Sequence, residues 1–217
     1  MADLPLYLFS LTPYPDTIHV PILSVRYCRP EIDFDRYDAL VVTSKQAVDA
    51  LEAMGPAWRK VPVLCVAFKT AEKVRNSGGS VLGTGGGYGE NLEGIIKACY
   101  SDKRWLYARP AKAASDFAER LRQSGVAIDD AVVYETFCSP ELSFKLEKEA
   151  VLAFSSPSAV ECFSRYASFL PGHRVVVIGA STRAALPFGI DAQMPQMPTL
   201  KGLVALGRKL ASVSARF

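Results

Sequence analysis

The feature that most constrains this chain is an internal repeat at one fixed spacing. Val-Thr-Ser-Lys-Gln-Ala-Val-Asp at 42–49 aligns with Phe-Ser-Ser-Pro-Ser-Ala-Val-Glu at 154–161, so Thr43 meets Ser155, 112 positions on. Val-Ala-Phe-Lys-Thr-Ala at 66–71 aligns with Ile-Gly-Ala-Ser-Thr-Arg at 178–183, and Thr70 meets Thr182 at the same offset of 112. Two matches at one period argue for duplicated structural units. In each match a hydroxyl residue falls where an apolar, β-rich run gives way to an amphipathic stretch, which is how a strand entering a helix reads.

Short β-rich runs alternate with helical stretches along the rest of the chain, so the expected class is α/β with parallel sheets. Strands are expected at Leu6–Phe9, Ala39–Thr43, Val63–Ala67, Trp105–Arg109, Val151–Ser155 and Val175–Ile178. Helices are expected at Gln46–Met54, Thr70–Asn76, Ser115–Ser124, Ala159–Tyr166 and Thr182–Leu186, with a last amphipathic one over Lys201–Phe217. A weaker match sets Leu-Tyr-Ala-Arg at 106–109 against Leu-Tyr-Leu-Phe at 6–9, offset by 100. It implies a first lobe that opens at the N-terminus, is interrupted by a whole second lobe, and then resumes. The expected organisation is therefore two similar parallel-sheet α/β lobes: residues 1–24 plus 139–217 form the discontinuous first, and 36–130 the second. A two-stranded β linker joins them through 25–35 and 131–138, where β-rich Leu23–Cys28 and Ala131–Phe137 lie beside Arg29-Pro30 and Ser139-Pro140.

Composition excludes several classes. With 49% hydrophobic and 22% charged residues among 217, the chain suits a globular fold. No apolar run reaches the length of a spanning helix, and the start Met1-Ala2-Asp3-Leu4-Pro5 lacks the basic and apolar regions of a signal peptide, so the reading is cytoplasmic. A net charge of +3 is too small to argue for nucleic acid and compatible with a polyanionic small molecule. The odd number of cysteines, Cys28, Cys65, Cys99, Cys138 and Cys162, widely spaced in mostly apolar surroundings, reads as reduced core thiols. None has the spacing of a zinc or redox motif, and His19 and His173 stand alone, so neither a metal site nor a Ser-His-Asp triad is expected.

Ligands of open parallel sheets bind beyond the carboxyl ends of the strands, where loops lead into helix N-termini with free N–H groups. Four matched loops supply such groups and hydroxyls: Thr43-Ser44-Lys45, Phe68-Lys69-Thr70, Ser155-Ser156-Pro157-Ser158 and Gly179-Ala180-Ser181-Thr182. Each loop alone reads equally as simple helix capping; repetition in both lobes favours anion contacts lining one shared cleft. Lys45 and Lys69 oppose the helix dipole at their positions, which favours their use as anion contacts. Arg109, ending a strand before Pro110, is either a carboxylate ligand or a structural arginine. Tyr134, in Val132-Val133-Tyr134-Glu135-Thr136, is either a packing residue or a phenol reaching the cleft. The stretch Gly83–Gly89 fits neither phosphate-binding fingerprint, and is either a mobile surface loop or a flap over the cleft that carries Tyr88.

Taken in order, Val42-Thr43-Ser44 before Ala47-Val48, Lys69-Thr70-Ala71, Val133-Tyr134-Glu135-Thr136, Phe154-Ser155-Ser156-Pro157-Ser158-Ala159 and Ile178-Gly179 before Ser181-Thr182 resemble the uroporphyrinogen-III synthase family. The resemblance covers roughly residues 39–210. It implies a cofactor-free lyase of tetrapyrrole (haem) biosynthesis that cyclises hydroxymethylbilane with inversion of the terminal pyrrole ring and loss of water; a monomer is the default expectation. Transient contact with the preceding pathway enzyme belongs to the same expectation. The resemblance makes Tyr134 the residue that helps the terminal hydroxyl leave, and Thr43, Ser44, Lys69, Thr70, Tyr88, Arg109, Ser155, Ser156, Ser181 and Thr182 the substrate contacts. The chain departs from the family in two places. Ser10-Leu11-Thr12-Pro13-Tyr14-Pro15 replaces a first full helix, and Ala67 stands where glycine is usual. The rival reading is a non-enzymatic two-lobe module that binds a small anion or senses it, motivated by the lack of an evident acid, base or nucleophile.

Overall fold

A computed structural model describes residues 3–86, 89–112, 116–140 and 142–212. The chain forms two compact units, one built from residues up to Ser24 together with those from Phe137, the other from Val25–Thr136. It opens with β1 (Leu6–Phe9), β2 (Ile18–Val20) and β3 (Leu23–Tyr27), and passes into the second unit inside β3. There follow β4 (Ala39–Val42), α1 (Lys45–Met54), β5 (Val63–Cys65), α2 (Phe68–Asn76), β6 (Val81–Thr84), α3 (Gly89–Cys99), β7 (Trp105–Pro110), α4 (Phe117–Gln123) and β8 (Ile128–Cys138). The first unit resumes inside β8 and continues with β9 (Ala150–Phe154), α5 (Pro157–Tyr166), β10 (His173–Val177), α6 (Ala180–Ala184), β11 (Ala192–Gln193) and α7 (Leu200–Ser212). No described helix is long and apolar enough to cross a membrane.

The sheet of unit 2 runs β3-β8-β7-β4-β5-β6, and the pairs from β8 through β6 are parallel. Its central strands are buried on both faces, as parallel strands flanked by helices must be. Leu40 and Val42 meet Ala47, Val48 and Leu51 of α1 and Ala71 and Val74 of α2. The alternate residues Ala39 and Val41 meet Leu92 and Ile96 of α3 and Phe117 and Leu121 of α4. Both tryptophans are fully buried, each with its indole N–H satisfied: Trp58 donates to Glu52 Oε1 at 2.9 Å and Trp105 to the Tyr100 carbonyl at 3.1 Å.

The sheet of unit 1 runs β11-β10-β9-β1-β2, parallel at every pair. Phe9 stacks on Phe154 at 4.7 Å and meets Phe163 of α5 edge-on at 5.1 Å, forming the centre of one face. Leu6, Leu8, Val151 and Val176 form the other face with Leu203, Val204 and Ala211 of α7. Gly207 lets α7 lie close, since a Cβ there would stand 2.8 Å from Leu6 Cδ1. Parallel strands usually need a crossover of about a dozen residues or more, but β1 and β2 are joined by residues 10–17 without a helix. Local bonds hold this short path: Ser10 Oγ donates to the Thr12 carbonyl, Thr17 Oγ1 to the Tyr14 carbonyl at 2.7 Å, and His19 Nε2 lies 2.8 Å from the Ser10 carbonyl. Tyr14 from this loop packs against the α7 face.

The 112-residue spacing is present in the elements themselves: α1 and α5 begin at Lys45 and Pro157, α2 and α6 at Phe68 and Ala180. Three strands and one helix go beyond the sequence expectation, namely β2, β6, β11 and α3. The thiols need a correction. Cys138 at the end of β8 and Cys162 on α5 form a disulfide, with Cα atoms 5.3 Å apart. Sequence neighbours gave no sign of it, because a separation of 24 residues is closed only when the fold brings β8 against α5. Cys28, Cys65 and Cys99 are free thiols; Cys99 is exposed, and burial pushes the Cys65 thiol up to about 12.

Candidate active site

The carboxyl ends of β4 and β7, with the middle of β8 beside them, bring together four hydroxyl side chains of unit 2. Ser44 is the N-cap of α1, its Oγ accepting the Ala47 N–H at 3.2 Å. The same Oγ donates to Tyr134 Oη at 2.8 Å. The cap is thus also a donor, and its gift satisfies the phenol oxygen while leaving the phenol's own hydrogen uncommitted. One residue earlier, Thr43 Oγ1 shares a 3.2 Å hydrogen bond with Tyr107 Oη. Tyr134 sits just past a register shift between β7 and β8, where Pro110 pairs with it.

Both phenols are almost fully buried, at 7% exposure for Tyr134 and 6% for Tyr107. Burial raises the pKa of each above the ordinary tyrosine value, because a phenolate would lose its water. The hydrogen bonds from Ser44 and Thr43 pull in the opposite direction and do not win. Two neutral hydroxyls therefore persist through neutral pH. Tyr107 was missed by sequence reasoning, which took only Arg109 from this strand. The available signal was its register: Tyr107 pairs with Val41, and Thr43, two residues beyond Val41, lies on the same face and one diagonal step away.

Arg109 is engaged by its own unit. Its Nε meets Asp130 Oδ2 at 2.5 Å, and one terminal nitrogen donates to the Pro110 carbonyl at 3.0 Å and to the Ala111 carbonyl at 3.3 Å. Arg122 takes the other oxygen of Asp130. Burial would raise the Asp130 pKa, but the bonds from the two guanidiniums outweigh it and hold the carboxyl below its usual range. These groups, with Tyr107, Asp116 and Glu119, line a cavity of about 310 Å3. Such bonding suits a brace between β7, α4 and β8 more than a free carboxylate ligand. A second cavity of about 360 Å3 lies by His173, Arg174 and Val175 at the amino end of β10, whereas ligands of parallel sheets bind at the carboxyl end.

The remaining sequence-derived positions divide into presented and buried. Lys69 is exposed and has no ion pair among the described residues, as is true of Lys45. Thr70 is 5% exposed, two residues inside α2, whose cap position is Ala67 without a side-chain cap. In unit 1, Ser156 caps α5 by accepting the Ala159 N–H at 3.2 Å, and Ser155 Oγ donates to the Phe9 carbonyl at 3.1 Å. Ser181 is exposed, and Thr182 is fully buried with an Oγ1 that has no partner among the described residues. Helix capping thus belongs to Ser44 and Ser156; Thr70 and Thr182 lie within helices that begin two residues earlier. Tyr88 lies outside the described residues.

Two parallel α/β units, the first interrupted by the whole of the second, with paired hydroxyls on the carboxyl side of the unit 2 sheet, define a two-unit parallel α/β class of protein. The chain belongs to the uroporphyrinogen-III synthase family: the family model described as uroporphyrinogen-III synthase HemD matches residues 16–205. No curated protein matches it in sequence. Among solved structures, it is similar to the uroporphyrinogen-III synthetase of Helicobacter pylori, at 22% identity over 97% of this chain and 100% of that one, with a TM-score of 0.83. It is also similar to a mutant uroporphyrinogen III synthase of Thermus thermophilus, at 16% identity, 89% and 88% coverage and a TM-score of 0.56. These likenesses carry the fold, which agrees with the expected parallel two-lobe class. The family match carries the place in haem biosynthesis.

Proposed function

We propose that the chain is a lyase that converts hydroxymethylbilane to uroporphyrinogen III and water, acting as a monomer in the cytoplasm. The observation that carries the chemistry is the Ser44–Tyr134 pair. Ser44 donates to the phenol oxygen at 2.8 Å, so the Tyr134 hydrogen is available for a ligand. The substrate's terminal hydroxyl is a poor leaving group; a hydrogen bond from a neutral phenol stabilises the charge that builds on that oxygen as the C–O bond breaks. Burial keeps the phenol protonated at neutral pH. Departure leaves an azafulvene cation. Attack on it by the substituted carbon of the terminal ring, fragmentation of the spiro intermediate and reclosure then give the inverted product.

The protein's other task is orientation. Closure without inversion is the competing path, and holding the linear substrate in one conformation selects between them. Exposed Lys69 and Ser181, and the loop backbone around Thr43, Ser44, Ser155 and Ser156, are the proposed carboxylate contacts. The testing experiment supplies purified protein with hydroxymethylbilane and no added cofactor and separates the product isomers. The type III isomer is expected, and finding only type I overturns the proposal. Sedimentation of the active species tests the monomer.

A further inference from the structure

Phe68 is one of two phenylalanines among the described residues that lie largely in water, the other being Phe188 beyond α6. It leaves 69% of its surface in water and, unlike Phe188, it is the first residue of a helix at the carboxyl side of the unit 2 sheet. An exposed large apolar group calls for a reason where an exposed polar one does not. Its surroundings give one. Val42 of β4 pairs with Cys65 of β5, and Lys45 and Phe68 each lie three residues beyond that level. The first turns of α1 and α2 thus stand side by side at the carboxyl edge of the unit 2 sheet. Lys45, Phe68 and Lys69 are all exposed there, and neither ammonium has an ion pair among the described residues.

No acid occupies the first turn of either helix. Farther along, Asp49 is held by Lys73 at 2.6 Å, so it does not neutralise the patch. Two unpaired cations flanking a bare aromatic ring fit a ligand that is itself an aromatic ring bearing carboxylates. The 112-residue frame adds a contrast: the equivalent positions of unit 1 are Pro157, Ala180 and Ser181, with neither ring nor charge.

We propose that Phe68, flanked by Lys45 and Lys69, is a substrate-binding position of unit 2 that takes one pyrrole ring of the linear tetrapyrrole on its face and that ring's carboxylates on the two ammonium groups. This rests on the activity proposed above. Because unit 1 lacks the counterpart, the position tells one part of a nearly repetitive substrate from the rest. Its contribution is to binding and orientation, not to bond breaking.

The test is steady-state kinetics of Phe68→Ala, Phe68→Tyr and the double variant Lys45→Ala/Lys69→Ala, each beside the unaltered protein. Phe68→Ala is expected to raise KM about ten-fold, with the fall in kcat/KM carried mainly by KM. Phe68→Tyr keeps the ring and is expected to stay within about two-fold of the original KM. The double lysine variant is expected to raise KM and to flatten its dependence on salt, since two charge contacts are gone. The side chain is exposed, so melting temperatures should not move. A KM for Phe68→Ala within two-fold of the original, or a tyrosine variant as poor as alanine, overturns the proposal. If the unaltered protein forms no type III isomer, it is the activity that fails, which is a distinct result.

Discussion

Unit 2 and unit 1 share a helix phasing that holds to the residue over 112 positions, but they differ in one crossover, in a disulfide and in their hydroxyl pairs. Between β7 and β8, unit 2 has α4, and its Phe117 and Leu121 help close one face of the sheet. Between β1 and β2, unit 1 has only residues 10–17, and Tyr14 with α7 covers that face. Unit 1 also carries the disulfide, and unit 2 carries the paired hydroxyls of Ser44 with Tyr134 and Thr43 with Tyr107. The corresponding serines of unit 1 are bonded within their own backbone: Ser155 to the Phe9 carbonyl, Ser156 to the Ala159 N–H. The duplicated frame sets where loops and helix starts fall, and side chains at matched positions then differ in what they bond, which on the proposed function gives one copy the chemistry and the other the support.

The largest expected effect lies on the supporting side. If unit 1 depends on the Cys138–Cys162 link to hold the end of β8 to α5, then reduction should lower unfolding stability by about 3 kcal/mol, the chain-entropy value for a closed loop of this size. Urea unfolding with and without a thiol reductant reads this directly. Unchanged midpoints would mean that the hydrogen bonds of the return crossing, such as Tyr166 Oη to the Ser139 carbonyl and Ser139 N–H to the Ile22 carbonyl, hold it without help.

Next comes the chemical side. Tyr134→Phe should lower kcat by at least about 10²-fold, roughly 2.7 kcal/mol, if the phenol assists departure of the hydroxyl. The fold should lose no more than about 1 kcal/mol, the worth of one neutral hydrogen bond. The pH dependence has a definite sign. The folded phenol titrates above the ordinary tyrosine value, so its protonated form, and the rate it supports, is retained below about pH 10 and lost only above it. A rate that falls between pH 7 and 9 through this group would contradict the assignment.

The same contrast is sharpened by a matched pair of cap removals. Ser44→Ala and Ser156→Ala each delete an N-cap and should each cost about 1 kcal/mol of stability. Only Ser44→Ala should also slow turnover, by about ten-fold, because it removes the donor to the Tyr134 oxygen. Equal kinetic effects would show that both units take part in the chemical step in the same way.

How much of this was legible in the sequence follows from which interactions are local. The repeat was visible because strand-to-helix junctions have sequence signatures, and Ser44 and Ser156 are real caps at the expected places. The edge strands β6 and β11 were not visible: they have four and two residues, and β6 contains Gly83. α3 was hidden by opening at Gly89, inside a glycine-rich stretch that reads as a loop, although its apolar Leu92, Ile95, Ile96 and Cys99 follow helical spacing. The disulfide and the Thr43–Tyr107 bond join residues 24 and 64 apart, and no pattern at those separations announces a contact that only the folded sheet creates. Thr70 and Thr182 misled for a related reason, since a hydroxyl near a helix start need not be the residue that caps it.

Thr182 gives the smallest prediction and the one most specific to unit 1. Its Oγ1 is buried without a partner among the described residues, whereas most buried hydroxyls are bonded. Valine has nearly the same shape and no group to desolvate, so Thr182→Val should stabilise the protein by up to about 1 kcal/mol and raise the melting temperature by about 2–4 °C. KM should not move, because a fully buried side chain does not present itself to a ligand. A loss of stability would show that the hydroxyl is bonded in solution, and a rise in KM would show it to be a substrate contact. Either result would shift weight back toward two equivalent units, because Thr182 stands at the position that matches Thr70 in the other copy.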